Sequence, residues 1–374
     1  MTVIGTRELN RALLARQLLL DRHDMSAVDA VRHLVGVQAQ EPLEPYAGLW
    51  SRLRGFVPAE LVELLEGRRA VRTLLMRRTL HLVTAEDAVG LRALHQPMLE
   101  QRVMAVLRAR LPGVDLAELR AAGTPLFAER PRTLTDVARA VAGRWPGVAP
   151  RDLGDALSSV VPLVQVPPRG VWGASGPAAN TTIEAWLGRP VAAAGNPGAG
   201  RAEDLVLRYL AAFGPAASAD VRAWSGLTGL PAAIARLRPE LEVLRDGRGR
   251  ELLDLPGAPR PDPDVPAPPR FLPAFDNAVL GYDDRTRVID DRHRGLSVGG
   301  ARFLLVDGRV AATWTTEPAQ PTRAADDPPV LRISALVPIT GADRDAVVEE
   351  GAGLLAFLTD GRTDGRVEID GPAG

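Results

Sequence analysis

The feature that most constrains the fold is a recurring order of short helices followed by a two-stranded hairpin. In the middle of the chain, Thr133 is placed to cap a helix with apolar residues at helical spacing, and a second helix is predicted from about Pro150. Residues 163–172 then have the pattern of a hairpin that turns at a Pro-Pro-Arg-Gly segment. The pattern predicts a unit made of these helices and this hairpin.

The same order recurs in the next part of the chain. Helices are predicted around Leu205, from Ser218 and around Pro231, and an Asp-Gly turn at 246–247 joins two predicted strands. The N-terminal section is helix-rich and is interpreted as a first, elaborated copy. We therefore predict a mainly α protein with some β structure, in which three tandem winged-helix domains occupy residues 1–115, 116–198 and 199–258.

The last part of the chain has a different pattern. Between Pro256 and Pro269, seven of the fourteen residues are proline, which predicts a stiff linker or an extended crossing segment. Strands are predicted at 301–306, 310–315 and 331–337, and one helix is predicted at 344–358. We expect residues 259–374 to form this linker and a small C-terminal β-barrel.

Charge is distributed unevenly, although 45 basic residues nearly balance 46 acidic ones. Residues 68–110 contain nine arginines and three acidic residues, whereas residues 343–374 contain eight acidic residues and three basic ones. This segregation favours a basic lobe that faces a polyanion. The candidates for phosphate contacts in this lobe are Arg68, Arg69, Arg72, Arg77 and Arg78. For each of them, the alternative is an ordinary solvated arginine.

The sequence argues against several other kinds of site. The chain has no cysteine, which excludes disulfides, thiolate metal sites and cysteine nucleophiles. His33 and His95 lack metal-ligand spacing, no glycine-rich phosphate loop is present, and His81 lies in an apolar run typical of a core histidine. We therefore predict no metal and no nucleotide cofactor.

Hydropathy indicates a soluble protein. No apolar run is long enough to span a bilayer, and the first eleven residues lack the order of a signal peptide. We expect a cytoplasmic protein without a membrane partner.

Gln38 and Gln40 carry the most specific chemistry. Residues 26–37 have helical spacing, and Pro42 and Pro45 favour extended backbone, so both glutamines are predicted to follow the end of a helix. Side chains two residues apart point to the same side only in an extended chain. Each amide offers one carbonyl acceptor and an NH2 donor, which suits water positioning or contacts with a base edge. A solvated polar pair is the alternative.

The segment 38–42, Gln-Ala-Gln-Glu-Pro, resembles the signature of the AlkZ-like winged-helix DNA glycosylases, as do residues 45–53, 77–83 and 271–285. The resemblance implies three winged helices and a β-barrel arranged as a C, with a hairpin that approaches the minor groove. The candidate for the tip of that hairpin is 290–294, with Arg292 and Arg294 as DNA contacts, and a charged surface turn is the alternative. It also implies that Gln38 and Gln40 are the catalytic pair.

The form with two glutamines is associated, within the family, with self-resistance enzymes of antibiotic producers. These enzymes unhook interstrand crosslinks, such as those of azinomycin, or remove bulky N7-guanine adducts. An N7-alkylguanine is already cationic, so the protein needs only a positioned water and acceptor dipoles near the sugar. Because the chain has no lysine, only the N-terminal amine could form the Schiff base of a lyase, so any glycosylase activity is expected to be monofunctional and to depend on water.

We therefore expect a monomeric, monofunctional DNA glycosylase of base excision repair. Its substrate would be double-stranded DNA that contains bulky or interstrand-crosslinked N7-alkylguanine, and it would associate with the nucleoid when bound to DNA. The individual roles of the two glutamines remain open. The main alternative is a non-enzymatic winged-helix transcriptional regulator, and a third class is a protein-interaction scaffold, whose binding to DNA would not weaken with salt.

Overall fold

The computed structural model of the chain describes residues 2–192, 200–318 and 327–371. Within these ranges it contains fifteen α-helices and fourteen β-strands, and the strands form three sheets. The protein is therefore a mixed α/β structure. The predicted boundary between residues 198 and 199 lies outside the described residues. No helix in the described ranges combines the length and the apolar character that crossing a bilayer requires.

The N-terminal section combines helices with three strands of one sheet. Its elements are β1 (Val3–Ile4), α1 (Thr6–Arg16), α2 (Ala27–His33), β2 (Val37–Gln38), α3 (Glu44–Trp50), α4 (Pro58–Glu66), β3 (Ala70–Leu74), β4 (Leu80–Thr84) and α5 (Ala85–Leu107). Helix α2 ends earlier than predicted because Val35 and Gly36 adopt left-handed backbone conformations, with φ of 55° and 95°. A side chain at Gly36 would collide with Val83, at 2.7 Å from its Cβ position. The chain therefore enters β2 directly after this reversal.

The middle section forms the predicted helices but pairs its strands differently. Its elements are α6 (Leu116–Glu129), β5 (Arg132–Thr133), α7 (Leu134–Val141), α8 (Pro150–Val160), β6 (Leu163–Gln165), β7 (Ala179–Thr182) and α9 (Ile183–Leu187). The Thr133 side chain accepts a hydrogen bond from the Asp136 amide, which confirms the predicted cap. Strand β6 pairs with β7, so the predicted partner strand at 171–172 is wrong.

The loop between β6 and β7 is held by a side chain instead of a strand. The Tyr46 hydroxyl donates to the Gly170 carbonyl oxygen at 2.9 Å and accepts from the Trp172 amide at 3.1 Å. These backbone groups are therefore satisfied outside any sheet. The loop folds back onto α3 of the N-terminal section.

The third section has the predicted order of three helices and a hairpin. Its elements are α10 (Ala202–Phe213), α11 (Ser218–Ser225), α12 (Leu230–Leu237), β8 (Glu242–Asp246) and β9 (Glu251–Asp254). Pro231 lies in the first turn of α12, and β8 pairs with β9 in antiparallel register, so both predictions are confirmed. Strand β1 adds to β8 in parallel. The N-terminus is thus part of the same small sheet.

The C-terminal section is built on an open sheet. Its elements are β10 (Arg270–Leu272), α13 (Asn277–Leu280), α14 (Arg294–Val298), β11 (Phe303–Val306), β12 (Arg309–Glu317), β13 (Val330–Ala335), α15 (Gly341–Leu358) and β14 (Arg366–Asp370). The strand order is β10-β11-β12-β13-β14, and β14 lies parallel to β13. The predicted β-barrel is not closed among the described residues, because α15 returns the chain beside β13 instead of β10.

The proline-rich segment crosses helix α1 without forming a helix or strand of its own. Its carbonyl oxygens at Pro259, Pro263 and Val265 accept hydrogen bonds from Arg16, Arg7 and Arg11 respectively. Because proline lacks an amide hydrogen, carbonyl oxygens are the main polar groups that this backbone offers. The arginine-rich face of α1 satisfies them.

Sheets and cores both join the sections. The six-stranded sheet has the order β2-β4-β3-β6-β7-β5, so it combines N-terminal and middle strands. The largest apolar core combines residues of the N-terminal, third and C-terminal sections, among them Leu13, Leu99, Phe213, Trp224 and Tyr282. The middle helices have a separate core around Phe127 and Leu157.

A buried ion pair connects the segment just after α3 to the N-terminus of α13. Arg52 donates to the two oxygens of Asp276 at 2.8 Å and 2.9 Å, and the two side chains are 3% and 2% exposed. Arg52 also donates to the Gln17 and Gly48 carbonyl oxygens. A charge at this depth depends on its partner, because removal of one member leaves the other desolvated and unpaired.

We predict that Asp276→Asn lowers the free energy of unfolding by about 3–5 kcal/mol, because Arg52 keeps its charge and loses its carboxylate. Urea unfolding would measure the change. The control is Glu251→Gln, which removes one partner of the exposed Arg238–Glu251 pair and should cost much less. Equal losses in the two variants would contradict the role assigned to burial.

Candidate active site

The two glutamines lie beside the β3–β4 hairpin. Gln38 is the last residue of β2 and stands opposite His81 of β4, and the Ala39 amide donates to the Leu80 carbonyl oxygen at 2.8 Å. Gln38 is only 6% exposed, whereas Gln40 is exposed. Gln38 therefore ends a short strand and Gln40 follows that strand, so their environments differ.

Gln38 has a fixed orientation. Nη2 of Arg77 donates to Gln38 Oε1 at 2.9 Å and to Asn277 Oδ1 at 2.9 Å, and Arg77 Nη1 donates to the Trp224 carbonyl oxygen at 2.7 Å. A guanidinium has donors and no acceptor, so the oxygen of each amide must face Arg77. The NH2 groups of both amides therefore point away from it. The Asn277 NH2 is buried and has no hydrogen-bond partner.

Gln40 lies at the rim of an open cavity. The Gln40 Oε1 atom accepts a hydrogen bond from the Leu80 amide at 3.2 Å. This bond uses one of the two lone pairs of the carbonyl oxygen. The cavity has a volume of about 240 Å³, and its polar lining includes Gln40, Arg78, Asp155, Gln165 and Asn180. Gln40 is thus the member of the pair that solvent reaches.

The turn between β3 and β4 has an uncommon backbone. Arg77 and Arg78 both have positive φ, at 54° and 61°, a conformation that non-glycine residues adopt at a cost. Arg77 binds Gln38, while Arg78 donates to Ser159 at 2.9 Å and pairs with Asp155 of α8. The strained turn therefore places consecutive arginines on different partners.

Gly226 lets helix α11 approach this turn. Its φ is 75°, and an added Cβ would lie 3.3 Å from the Arg77 amide nitrogen. A larger residue would press against the turn and suffer backbone strain. This contact explains how the Trp224 carbonyl oxygen, two residues earlier, reaches the Arg77 guanidinium.

Arg72 holds the main chain of the glutamine motif. It is 2% exposed, and its Nη2 donates to the Ala39 carbonyl oxygen at 2.8 Å. Its Nη1 donates to Gln165 Oε1 at 2.5 Å. Burial lowers the pKa of Arg72 to about 10 and that of Arg77 to about 10, so both are cationic at neutral pH. Arg72 lies inside the protein, away from the surface position that the sequence suggested.

The other predicted DNA contacts are spread over two regions. Arg68 and Arg69 are exposed after α4, and the Arg68 guanidinium lies 4.1 Å from the centre of the Trp186 ring. Arg292 and Arg294 are exposed in the C-terminal section. Residues 291–293 form a short helical turn that leads into α14, so the predicted hairpin tip at 290–294 is wrong.

Asn277 and Arg285 were not predicted as site residues from the sequence. Both lie within 271–285, one of the segments that resemble the family, and this resemblance was the signal that could have pointed to them. Arg285 donates to the Tyr282 carbonyl oxygen at 3.3 Å and to the Ser297 hydroxyl at 2.7 Å. It is therefore fixed between α13 and α14.

The histidines near the site are neutral core residues. His81 and His95 are fully buried, and their Nδ1 atoms donate to the Thr79 and Leu91 carbonyl oxygens. Burial lowers the pKa of His81 to about 3 and that of His95 to about 4. Among the described residues, no group of three or more His, Asp or Glu is placed to hold a metal ion.

Comparisons with known proteins point to one family. A family model described as DNA glycosylase AlkZ-like matches residues 31–357. Among solved structures, the DNA glycosylase AlkZ of Streptomyces sahachiroi superposes with a TM-score of 0.76 at 20% identity, covering 99% of this chain and 100% of that one. A search of curated proteins gives no match. The structural likeness shows a shared fold.

The buried histidines predict how stability depends on pH. Their folded pKa values are lowered from about 6.5, so the stability they contribute is present above pH 6.5 and is lost as the pH falls towards 4 and 3. Between pH 7 and pH 5 each should cost about 2 kcal/mol. His81→Gln should therefore lose about 2 kcal/mol less than wild type over this interval, measured by urea unfolding. Identical pH dependence in the two proteins would contradict the neutral, buried state of His81.

Proposed function

This chain belongs to the AlkZ-like DNA glycosylase family, and from that premise we propose that it removes bulky or interstrand-crosslinked N7-alkylguanine from double-stranded DNA. The observation that carries the proposal is the pair Gln38 and Gln40, one buried and fixed by Arg77 and the other exposed at a cavity. We further propose a role in self-resistance to a DNA-alkylating natural product such as azinomycin, because the chain has the two-glutamine form of the motif at residues 38–40.

Two neutral amides suit a substrate that is already activated. Alkylation at N7 places a positive charge on guanine, so cleavage of the bond from C1′ to N9 returns an electron pair to the base and releases it as a neutral molecule. Water adds to C1′ and gives up a proton to solvent. The protein then needs to position water and to stabilise a cationic sugar, and it needs no strong acid.

The contacts of the two amides divide these tasks. Gln40 is exposed and its carbonyl oxygen keeps a lone pair, so we assign it to orient the attacking water and face the cationic sugar. The Gln38 oxygen is engaged by Arg77, so its outward group is a fixed NH2 donor for a sugar or base oxygen. This assignment separates an acceptor from a donor within one short motif.

Binding to the duplex would use the repeated helix-and-hairpin units. We propose that the three units are winged helices and that the exposed side chains of Arg68, Arg69, Arg292 and Arg294 contact phosphates. A crosslinked guanine is tied to the opposite strand and resists full extrusion from the duplex. A monomer that surrounds the lesion would avoid the need for base flipping.

We predict that Gln40→Ala lowers the rate of base release by about 100-fold or more while DNA binding is retained, because the water loses its acceptor. Gln38→Ala should also reduce release. The measurement is release of N7-alkylguanine from duplex DNA with a defined adduct, followed by heat cleavage of abasic sites. Gln101→Ala, in an exposed glutamine of α5, is the matched control. Tight, salt-sensitive binding without release from N7-methyl, mustard or azinomycin-type lesions would instead favour a DNA-binding regulator.

We also predict that borohydride traps no covalent complex with an abasic product. The 374 residues include no lysine, so the side-chain amine that normally forms the Schiff base is missing. A lysine-dependent lyase treated in parallel should be trapped. A covalent complex with this protein would contradict the monofunctional mechanism.

A further inference from the structure

Arg77 is a cation surrounded by neutral acceptors. Its guanidinium donates hydrogen bonds to the Gln38 and Asn277 amide oxygens and to the Trp224 carbonyl oxygen, and no ion pair to it is found among the described residues. The preceding residue, Asp276, supplies a full carboxylate to Arg52 nearby. An aspartate at 277 would have given Arg77 the same compensation, yet the chain has asparagine there.

Asparagine at position 277 has two unfavourable consequences for the folded protein. The Asn277 NH2 is buried without a hydrogen-bond partner, which is unfavourable because the group has lost its contacts with water. The charge of Arg77 is also uncompensated, and its pKa is lowered by burial and next by the charge of Arg285. A residue chosen only for stability would not combine these features at one position.

Arg285 is a second positive charge, and it acts on Arg77 electrostatically by lowering the pKa of Arg77. Its guanidinium donates to the Tyr282 carbonyl oxygen and the Ser297 hydroxyl, both neutral groups. The Ser297 hydroxyl in turn donates to the Arg294 carbonyl oxygen, which ties Arg285 to the start of α14. Arg294 is exposed, so the arrangement extends from the half-buried Arg77 towards solvent. Asp283 is the acidic residue that acts on Arg285 in the opposite direction.

Arg77 and Arg285 are both cations, and the groups to which they donate hydrogen bonds are all neutral, so the pair is suited to bind an anion. The ligand must bring its own negative charge and several acceptor oxygens, and a DNA phosphate has both properties. We propose that Arg77 and Arg285 bind one phosphate of the lesion strand beside Gln38, and that residue 277 is asparagine so that the charge of Arg77 stays available to this phosphate. The assignment of the phosphate to the lesion strand rests on the proposed function.

The phosphate would also remove an electrostatic conflict. A free positive charge on Arg77 would oppose the cationic sugar that develops when the base leaves. Once the phosphate pairs with Arg77 and Arg285, the positive potential next to Gln38 is largely cancelled. Catalysis would then depend on correct seating of the DNA backbone.

The decisive variant is Asn277→Asp, which keeps the shape of the side chain and its acceptor for Arg77. We expect an unfolding midpoint no lower than that of wild type, because the variant gives Arg77 a carboxylate partner and removes the unpaired NH2 of Asn277. Binding to lesion-containing duplex should weaken about tenfold, and the slope of log affinity against log salt should fall by about one unit. Arg285→Gln should give the same binding loss, and the double variant should lose little more. Arg344→Gln, in an exposed arginine of α15, should leave binding unchanged.

The phosphate itself can be located chemically. Single methylphosphonate substitutions around the lesion remove one charge at a time, and one position should weaken wild type about tenfold but leave Asn277→Asp unaffected. Wild-type affinity and salt slope in Asn277→Asp, or equal sensitivity of both proteins at every position, would overturn the proposal. If Asn277→Asp does not fold, Arg285→Gln is compared with wild type in the same methylphosphonate scan, and the same two outcomes test the proposal. These experiments measure binding and not base release. A protein that binds in this way but releases no base would contradict the proposed glycosylase activity and would still support the phosphate site.

Discussion

Two guanidinium groups, that of the buried Arg72 and that of the half-buried Arg77, determine the geometry of the candidate active site. Arg72 holds the main chain at Ala39, and Arg77 holds the side chain of Gln38. Strand β2 has only two residues, so its own ladder could not fix the segment that follows it. Hydrogen bonds from charged donors are stronger than those from neutral ones, and a guanidinium offers five of them in a rigid plane. The glutamines are therefore placed by arginines more than by backbone pairing.

The same two arginines make the site depend on the whole fold. Arg72 also binds Gln165 of the middle section, while Arg77 binds Trp224 of the third section and Asn277 of the C-terminal section. No single helix-and-hairpin unit could assemble these contacts. This dependence gives a physical reason why the family model extends over most of the chain instead of one domain.

Local patterns predicted local structure well and non-local structure poorly. The cap at Thr133, the proline in α12 and the β8–β9 hairpin were all predicted, because each depends on residues a few positions apart. The partner of β6 was missed because the loop after it binds the Tyr46 hydroxyl, more than a hundred residues away in the chain. The open C-terminal sheet was missed for a similar reason, since the parallel pairing of β14 has no local signature.

The candidate site shows the same difference between what local sequence predicts and what depends on distant contacts. Sequence could select Gln38 and Gln40, but their different exposures arise from Arg77, whose left-handed backbone has no signal in an Arg-Arg pair. Counting nine arginines between residues 68 and 110 suggested a basic surface, yet Arg72 and Arg92 are 2% and 0% exposed. Their charges act inside the protein, where they order neutral amides and carbonyls. A site built from neutral amides oriented by arginines suits the proposed substrate, whose base is cationic before it leaves and neutral afterwards, provided that an anion of the substrate compensates the charge nearest the sugar.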